Sequence, residues 1–422
     1  MIVTVLAIGS RGDVQPYVAL GDGLRRAGHV VRFVTTTEFV DLAQQHGLTV
    51  EAVPFSVQAA LAERSAQRAV EGGGHVASFA AFARIARTGA QALARTALGA
   101  VDGADVVVGG LSAVAVGTAA AERVGIPFIP ALNVPVDTTS AWPGALFPNL
   151  RIGPSAWSNR TSHRLTRLAL WLTVRAGADA ARTGVLGAPP LPRFGGLRHL
   201  LPPEMPTLYG ISGAILPKPD DWPASRRVVG TWFLDPPDGW RPDADLEAFL
   251  ADGPPPVYIG FGSMGADDPA TTARLVLDAI VAAGVRAIVH RGWARLLVDD
   301  PPASVHFVES VPHAWLLPRV AAAVHHGGAG TTAASLRAGV PTVIVPVHGD
   351  QLFWARRVQE LGAGPAPIPR RRLDAERLAG ALVAATSDPA LRDRAAALSE
   401  RIRREDGVGD AVRWIEGTFT GG

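Results

Sequence analysis

The stretch Ala322-Ala-Val-His-His-Gly-Gly-Ala-Gly-Thr-Thr332 decides the fold. Its first four residues read as a short buried strand, and the small residues after them open a helix. Small residues let the backbone come close to a ligand, and the open amides at a helix N-terminus favour an anion. His326 and Thr331 or Thr332 add side-chain donors suited to a diphosphate. Two other readings fit the same residues. A tight strand-to-helix turn needs no ligand. Gly328-Ala-Gly-Thr-Thr-Ala333 is also a short match to a dinucleotide fingerprint, with Asp350 at about the expected distance.

Downstream, Val345-Pro-Val-His-Gly-Asp-Gln351 places an acid beside an amide after a strand. The pair suits sugar hydroxyls, because the acid accepts donated protons and the amide both donates and accepts. A dinucleotide site leaves Gln351 without a role, while Asp350 alone also fits an Asx-type turn or a helix cap. Near the start, Gly9-Ser-Arg-Gly-Asp13 and the following Val-Gln-Pro16 join a strand to a helix through a glycine turn. A carboxylate there can take a proton from an acceptor hydroxyl. The same residue type is a frequent helix N-cap.

Around these motifs, short apolar runs alternate with helical stretches. Predicted strands cover 1–8, 30–35, 104–109 and 127–131 in the first half, and 257–261, 287–290, 305–307, 322–325 and 342–345 in the second. Helices are predicted over 15–27, 38–46 and 113–124, most of 55–100, a basic segment near 162–175, and most of 374–403. Continuous apolar strands between helices imply parallel sheets covered on both faces. The predicted fold class is α/β, with two Rossmann-like doubly wound parallel-sheet domains facing a cleft and ligands beyond the carboxyl ends of the strands. At 422 residues the chain exceeds what one core usually serves. The Pro- and Asp-rich run 201–242 holds the junction. The expected domains are 1–215 and 243–422, joined by a linker at 216–242, with the last helix packing back on the first domain.

Composition removes several classes of function. With no cysteine, disulfides, thiolate nucleophiles and zinc–thiolate sites are excluded. Lys218 is the single lysine, which removes a Lys-dependent phosphate loop and argues against a Schiff-base enzyme. A formal net charge of +2 is too balanced for a nucleic-acid binder. No apolar run reaches the length of a transmembrane helix. The N-terminus lacks a basic start and a small-residue cleavage site, so it reads as a strand and the cytoplasm is the expected location.

Together the three motifs make the chain resemble the nucleotide-sugar-dependent glycosyltransferases of the two-domain type called GT-B, family one. Within them it is most similar to the actinobacterial natural-product branch and the sterol glucosyltransferases. Ala7-Ile-Gly-Ser-Arg-Gly-Asp-Val-Gln-Pro16 resembles the opening loop of that branch. Val228-Val-Gly-Thr-Trp-Phe233 and Pro255-Pro-Val-Tyr-Ile-Gly-Phe-Gly-Ser-Met264 resemble its junction and the first strand of its donor domain. Arg291-Gly-Trp293 and the stretch 311–351 complete the donor signature. Plant relatives carry a histidine in the place of Asp13, which is consistent with a base there.

The resemblance implies roles for individual residues. Ser10, Arg11, Gly12, Ser263, His326, Gly327, Gly328, Ala329, Gly330 and Thr331 would hold the diphosphate. Val308, Ser310 and Val311 would meet the nucleobase and ribose. The tryptophan with which plant relatives stack on uracil is missing there, which leaves UDP and dTDP both open. Asp350 and Gln351 would bind the sugar, and Asp13 would activate the acceptor. The implied reaction is a metal-independent, single-step, inverting transfer of a hexose or deoxyhexose to a hydroxyl of a lipophilic small molecule such as a sterol, polyketide or macrolide. The nucleotide sugar is a co-substrate, no cofactor is implied, and a monomer or weak homodimer is expected.

Other signals read more plainly. Asp243-Ala-Asp245 matches a metal-binding acid pair of another transferase fold, but it follows Pro242 and precedes a helix, so it reads as a cap. His325 and His326 point to opposite faces of a strand and make no metal pair. Asp220-Asp221, Asp267-Asp268 and Asp299-Asp300 read as solvated turns. Asn133, Trp142 and Phe147 follow a strand and are candidates either for the acceptor pocket or for ordinary loop packing. The helix carrying Arg160, Arg164, Arg167 and Arg175 beside Leu165, Leu168 and Leu172 reads as an amphipathic cover for the acceptor cleft. Contact with an acidic membrane surface is its other reading. Three rival functions remain: a nucleotide-sugar epimerase of the same fold, a non-catalytic lipid-binding or activating homologue, and a nicotinamide dehydrogenase. The last leaves Asp13 and the Asp350-Gln351 pair idle.

Overall fold

The computed structural model describes residues 1–56, 59–60, 75–261, 269–291 and 302–419. The chain forms two compact units. One comprises Met1–Ile211, Pro217–Leu234 and Asp406–Gly422, the other Ser212–Leu216 and Asp235–Glu405.

The first unit is a parallel sheet of seven strands: β1 Ile2–Ala7, β2 Val30–Thr36, β3 Thr49–Val53, β4 Val106–Gly109, β5 Phe128–Leu132, β6 Thr207–Tyr209 and β7 Arg226–Val228, in the order β3-β2-β1-β4-β5-β6-β7. Val3, Val5, Leu6, Phe33, Val106 and Val108 are buried, as strands covered on both faces require. Parallel strands need crossovers. They are supplied by α1 Arg11–Arg26, α2 Val40–Gln44, α3 His75–Ala100, α4 Val114–Val124 and α5 Ser155–Ala181.

Two features depart from the sequence reading. Helix α1 starts four residues before the predicted position 15 and encloses Pro16. A proline favours the first turn, so the pattern pointed to a later start. The chain tolerates Pro16 one turn further in because its missing N–H leaves only the Gly12 carbonyl without a helix partner. The run 201–242 also supplies β6 and β7. Strands of three residues are too short to show an alternating pattern.

The second unit contains α6 Ala244–Ala251, β8 Val257–Gly260, α7 Pro269–Ala283, β9 Ala287–His290, β10 Val305–Val308, α8 His313–Leu316, β11 Ala322–His325, α9 Ala329–Ala338, β12 Thr342–Ile344, α10 Gln351–Glu360, α11 Ala375–Ser387 and α12 Pro389–Arg403. Its parallel strands run in the order β10-β9-β8-β11-β12. The largely helical run predicted over 374–403 consists of two helices. Asp388 accepts a hydrogen bond from the Ala390 amide, and Pro389 opens α12. The last helix, α13 Gly407–Phe419, belongs to the first unit. Ala411, Val412 and Ile415 of α13 join the core of β1 and α1.

In each sheet the strand order reverses once beside the first strand of its unit, between β1 and β4 and between β8 and β11. Crevices at the carboxyl ends of such reversals are where open α/β sheets take ligands. The loops after β1 and after β11 are the two motifs picked out in the sequence. Among the described residues no helix is long and apolar enough to cross a membrane.

Candidate active site

In the first unit, Ser10 caps α1, and both its N–H and its O–H donate to Asp13 Oδ2 at 2.8 Å. Asp13 is thus the third residue of the helix in a capping box with Ser10, not the N-cap itself. Gly9 has a φ of +145°, and a Cβ there would lie 2.6 Å from both Cβ and Oδ2 of Asp13. Only glycine lets the carboxylate lie so close to the turn. Among the described residues no hydrogen bond reaches Asp13 Oδ1. The side chain is open to solvent, yet its carboxylate is set deep among protein atoms. The loss of surrounding water raises its pKa above the ordinary carboxylate value, and the two Ser10 bonds offset part of that rise. Buried Tyr17, one turn on, donates to the Ala131 carbonyl, and its pKa is raised by burial and by the charge of Asp13. It therefore remains a phenol.

In the second unit, Gly328 is the N-cap of α9, and Ala329, Gly330 and Thr331 form its first turn. Their amides point out of the helix end unpaired by helix geometry, which is an anion-binding arrangement. Gly327 has a φ of +93°, and a Cβ on it would come within 2.6 Å of Ile344 Cγ2. The Gly327 N–H donates to His325 Nδ1 at 3.0 Å. That bond puts the His325 proton on Nε2 and pins the turn. A Cβ on Gly328 would lie 2.7 Å from His326 Nε2, so the imidazole rests against this glycine. Burial, helped by nearby His348, lowers the His326 pKa to about 4. The ring is neutral at pH 7 and offers a hydrogen bond, not a charge. Among the described residues its Nδ1 is buried without a partner.

The sugar pair lies alongside. A Cβ on Gly327 would sit 3.1 Å from the Gln351 carbonyl, so the two motifs adjoin. Asp350 occupies the N-cap position of α10 but makes no side-chain cap bond. Its Oδ2 instead accepts the Trp354 indole N–H at 2.7 Å. Gln351 is buried, and its Oε1 accepts the amides of Val347 and His348 at 2.8 and 3.1 Å. The acceptor side of this amide therefore serves its own loop.

Two family models match the chain: the glycosyltransferase family 28 N-terminal domain over residues 3–131, and the erythromycin biosynthesis protein CIII-like C-terminal domain over residues 274–406. Sterol 3-beta-glucosyltransferases of Debaryomyces hansenii and Emericella nidulans are each 36% identical over 98% of this chain. The one from Saccharomyces cerevisiae is 35% identical over 97%. The chain spans only about a quarter to a third of these relatives, 26%, 30% and 34% of their lengths. Among solved structures, the calicheamicin glycosyltransferase CalG4 matches with a TM-score of 0.70 at 19% identity, covering 99% of this chain and 98% of that one. The glycosyltransferase SsfS6 of Streptomyces sp. SF2575, complexed with thymidine diphosphate, matches at 0.65 and 19%, covering 99% of each. These structural likenesses show the shared fold.

The chain has the fold of the GT-B glycosyltransferases.

On this fold the remaining sequence candidates fall unevenly. Ser263 lies outside the described residues. Arg11 and Gly12 form the first turn of α1 beside Asp13, in the first unit. Val308 and Val311 are buried in a core with Tyr258, Ile288 and Leu316, which leaves Ser310 as the exposed member of that trio. Asn133, half-buried at the end of β5, carries a buried Oδ1 that has no partner among the described residues. Trp142 packs edge-on against Trp222, and its carbonyl is bonded to His163 Nε2 at 3.1 Å. Phe147 is exposed. Asp243 caps α6 by accepting from the Asp245 amide. Among the described residues no group of acids and histidines is placed to hold a metal ion.

Of the discounted acid pairs, Asp267-Asp268 and Asp299-Asp300 lie outside the described residues. Asp220-Asp221 does form an exposed turn, and Asp221 also has a structural job there. It accepts bonds from the Thr139 hydroxyl (2.6 Å) and from the amide and hydroxyl of Ser140 (2.8 and 2.9 Å). Burial alone would raise its pKa, but these bonds, with Arg160, outweigh it and bring the pKa down to about 2. Its partners lie some 80 residues away, so no local pattern marks them. Trp354 was also passed over, although an aromatic four residues after an acid at a helix start was a usable signal.

Proposed function

We infer that the chain moves a hexose or deoxyhexose from a UDP- or dTDP-sugar to a hydroxyl of a lipophilic small molecule of the sterol or polyketide kind. The observation that carries this reading is the Asp13 carboxylate. One oxygen is held by Ser10 and the other takes no hydrogen bond among the described residues, in a chain whose second unit presents a helix N-terminus with a neutral histidine. In the reaction the acceptor O–H proton passes to Asp13 Oδ1 as its oxygen bonds to the anomeric carbon. The bond from that carbon to the diphosphate breaks with its electron pair on the leaving oxygen. The α9 amides and the His326 N–H receive the charge that develops there. Asp350, steadied by Trp354, accepts bonds from the sugar hydroxyls. One displacement inverts the anomeric carbon and needs no metal in this scheme.

The relatives' names support the acceptor class: sterol 3-beta-glucosyltransferases at 35–36% identity. Asp13→Asn is expected to lose about 10²- to 10⁴-fold in kcat, the usual weight of a general base. Assays with both donors and a sterol and polyketide panel read the loss. Nuclear magnetic resonance of the product reads the anomeric configuration, and a chelator tests the metal. Native turnover in Asp13→Asn removes the base, and retention of configuration removes the single displacement. His326→Ala with unchanged diphosphate affinity by calorimetry removes the anion site.

A further inference from the structure

Helix α5 is built inside out. Its buried side carries Ser158, Asn159, Ser162, His163 and Thr166. Their polar atoms hold the preceding loop: Ser162 Oγ accepts the Gly144 amide at 2.7 Å, and Asn159 Nδ2 donates to the Ser140 carbonyl at 2.9 Å. The opposite side carries Trp157, Leu165, Leu168 and Leu172, exposed by 53, 37, 51 and 49%. At about 3.6 residues per turn these four share one face, and Arg164 and Arg175 fall on it too. A helix on the surface of a water-soluble domain normally has the reverse pattern. Phe194 extends the patch and is 85% exposed. Its carbonyl is bonded by His199, whose ring lies against Trp171 of α5.

Charge narrows the occupant. Residues 138–203 hold eight arginines and a single acid, Asp179; Arg160, Arg167, Arg175 and Arg182 are ion-paired, and Arg151, Arg164, Arg193 and Arg198 are exposed. A second copy bound symmetrically through this face would set arginines against arginines. An anionic surface meets both the charge and the apolar stripe.

We propose that the Trp157–Leu172 face of α5 docks on an anionic lipid bilayer. The tryptophan and leucines enter the acyl boundary, and the arginines lie at the level of the lipid phosphates with their stems along the apolar stripe. The inference is independent of the donor and acceptor chemistry.

The test is co-sedimentation of the intact chain with vesicles of phosphatidylcholine alone and of phosphatidylcholine with about one third phosphatidylglycerol. Binding to the anionic vesicles, weak binding to the neutral ones and release by salt are expected. Leu168→Glu with Leu172→Glu is expected to lower the anionic-vesicle affinity at least tenfold while the thermal midpoint and diphosphate binding stay native. Arg164→Gln, a smaller change, should cost roughly fivefold. Any of three results overturns the proposal: no binding to anionic vesicles, equal binding to both vesicle types, or native binding by both variants. Self-association of the native chain that the leucine variant abolishes, without vesicle binding, assigns the face to a second copy and overturns it too.

Discussion

A side chain at position 9 would meet Asp13 head on, with its Cβ 2.6 Å from the carboxylate. Gly9→Ala must therefore push Asp13 off Ser10 or tilt the first turn of α1. The expected result is a fall of about 10²-fold in kcat, the usual effect of misplacing a reacting group by an ångström, with diphosphate affinity unchanged by calorimetry. Native kcat in Gly9→Ala would show that the glycine does not set the base. The pKa of Asp13 gives a second prediction. A base works only when deprotonated, and burial raises this one above 3.8. The acid limb of kcat/KM should therefore have its midpoint above that value. Ser10→Ala, which removes a hydroxyl bond that lowers the pKa, should move the midpoint further up. A downward move contradicts the assignment. At this scale Asp13, His326 and Asp350 were legible because each stands in a short local motif. Less legible was how side chains are spent. Val308 and Val311 go to the core, Gln351 Oε1 to its own loop, and Asp221 to a clamp on residues far away in sequence.

Elements were legible where a pattern repeats over enough residues. The longer strands and most helices of both sheets follow from apolar runs and glycine stops, whereas β6 and β7 are too short to announce themselves. The existence of α5 was legible, but its orientation was not. A helical wheel ranks faces by hydropathy, and α5 buries the polar one because a loop with bare backbone groups needs its hydrogen bonds. His163 shows the cost of that choice. It is fully buried, and desolvation lowers its pKa to about 4. The folded chain binds this proton less readily than the unfolded chain does, whose ordinary value is 6.5. Stability is therefore full above pH 6.5 and falls as pH drops toward 4. The contribution lost on full protonation is about 3 kcal/mol. Thermal midpoints measured across that window should decline, and His163→Gln should flatten the decline. An equal slope in the variant would place the loss elsewhere. His306, His325, His326 and His348, whose pKa values are lowered by desolvation too, act in the same direction and contribute to the slope that remains.

For the molecule as a whole, the chain leaves its first unit at Leu234 and comes back at Asp406, so the stability of that unit depends on its last residues. Gly23 of α1 has no side chain to obstruct α13: a Cβ there would lie 2.2 Å from Val408 Cγ1. Below that contact Ile415, fully buried, packs with Val18, Leu20 and Leu24 in the core that also carries β1, the strand leading into the Asp13 loop. Truncating a buried isoleucine to alanine costs about 2–5 kcal/mol, because the lost transfer energy is joined by a cavity. In a unit of this size that is roughly 4–20 °C in the unfolding midpoint. Ile415→Ala should therefore lower the melting temperature of the first unit by that order. The change lies some 400 residues from Asp13 along the chain. A saturating nucleoside diphosphate, held in the proposal mainly by the second unit, should recover little of the loss. Differential scanning calorimetry with and without UDP and dTDP reads both effects. A midpoint within about a degree of native would show that α13 adds nothing to the first core. Full recovery by diphosphate would show that the two units unfold as one.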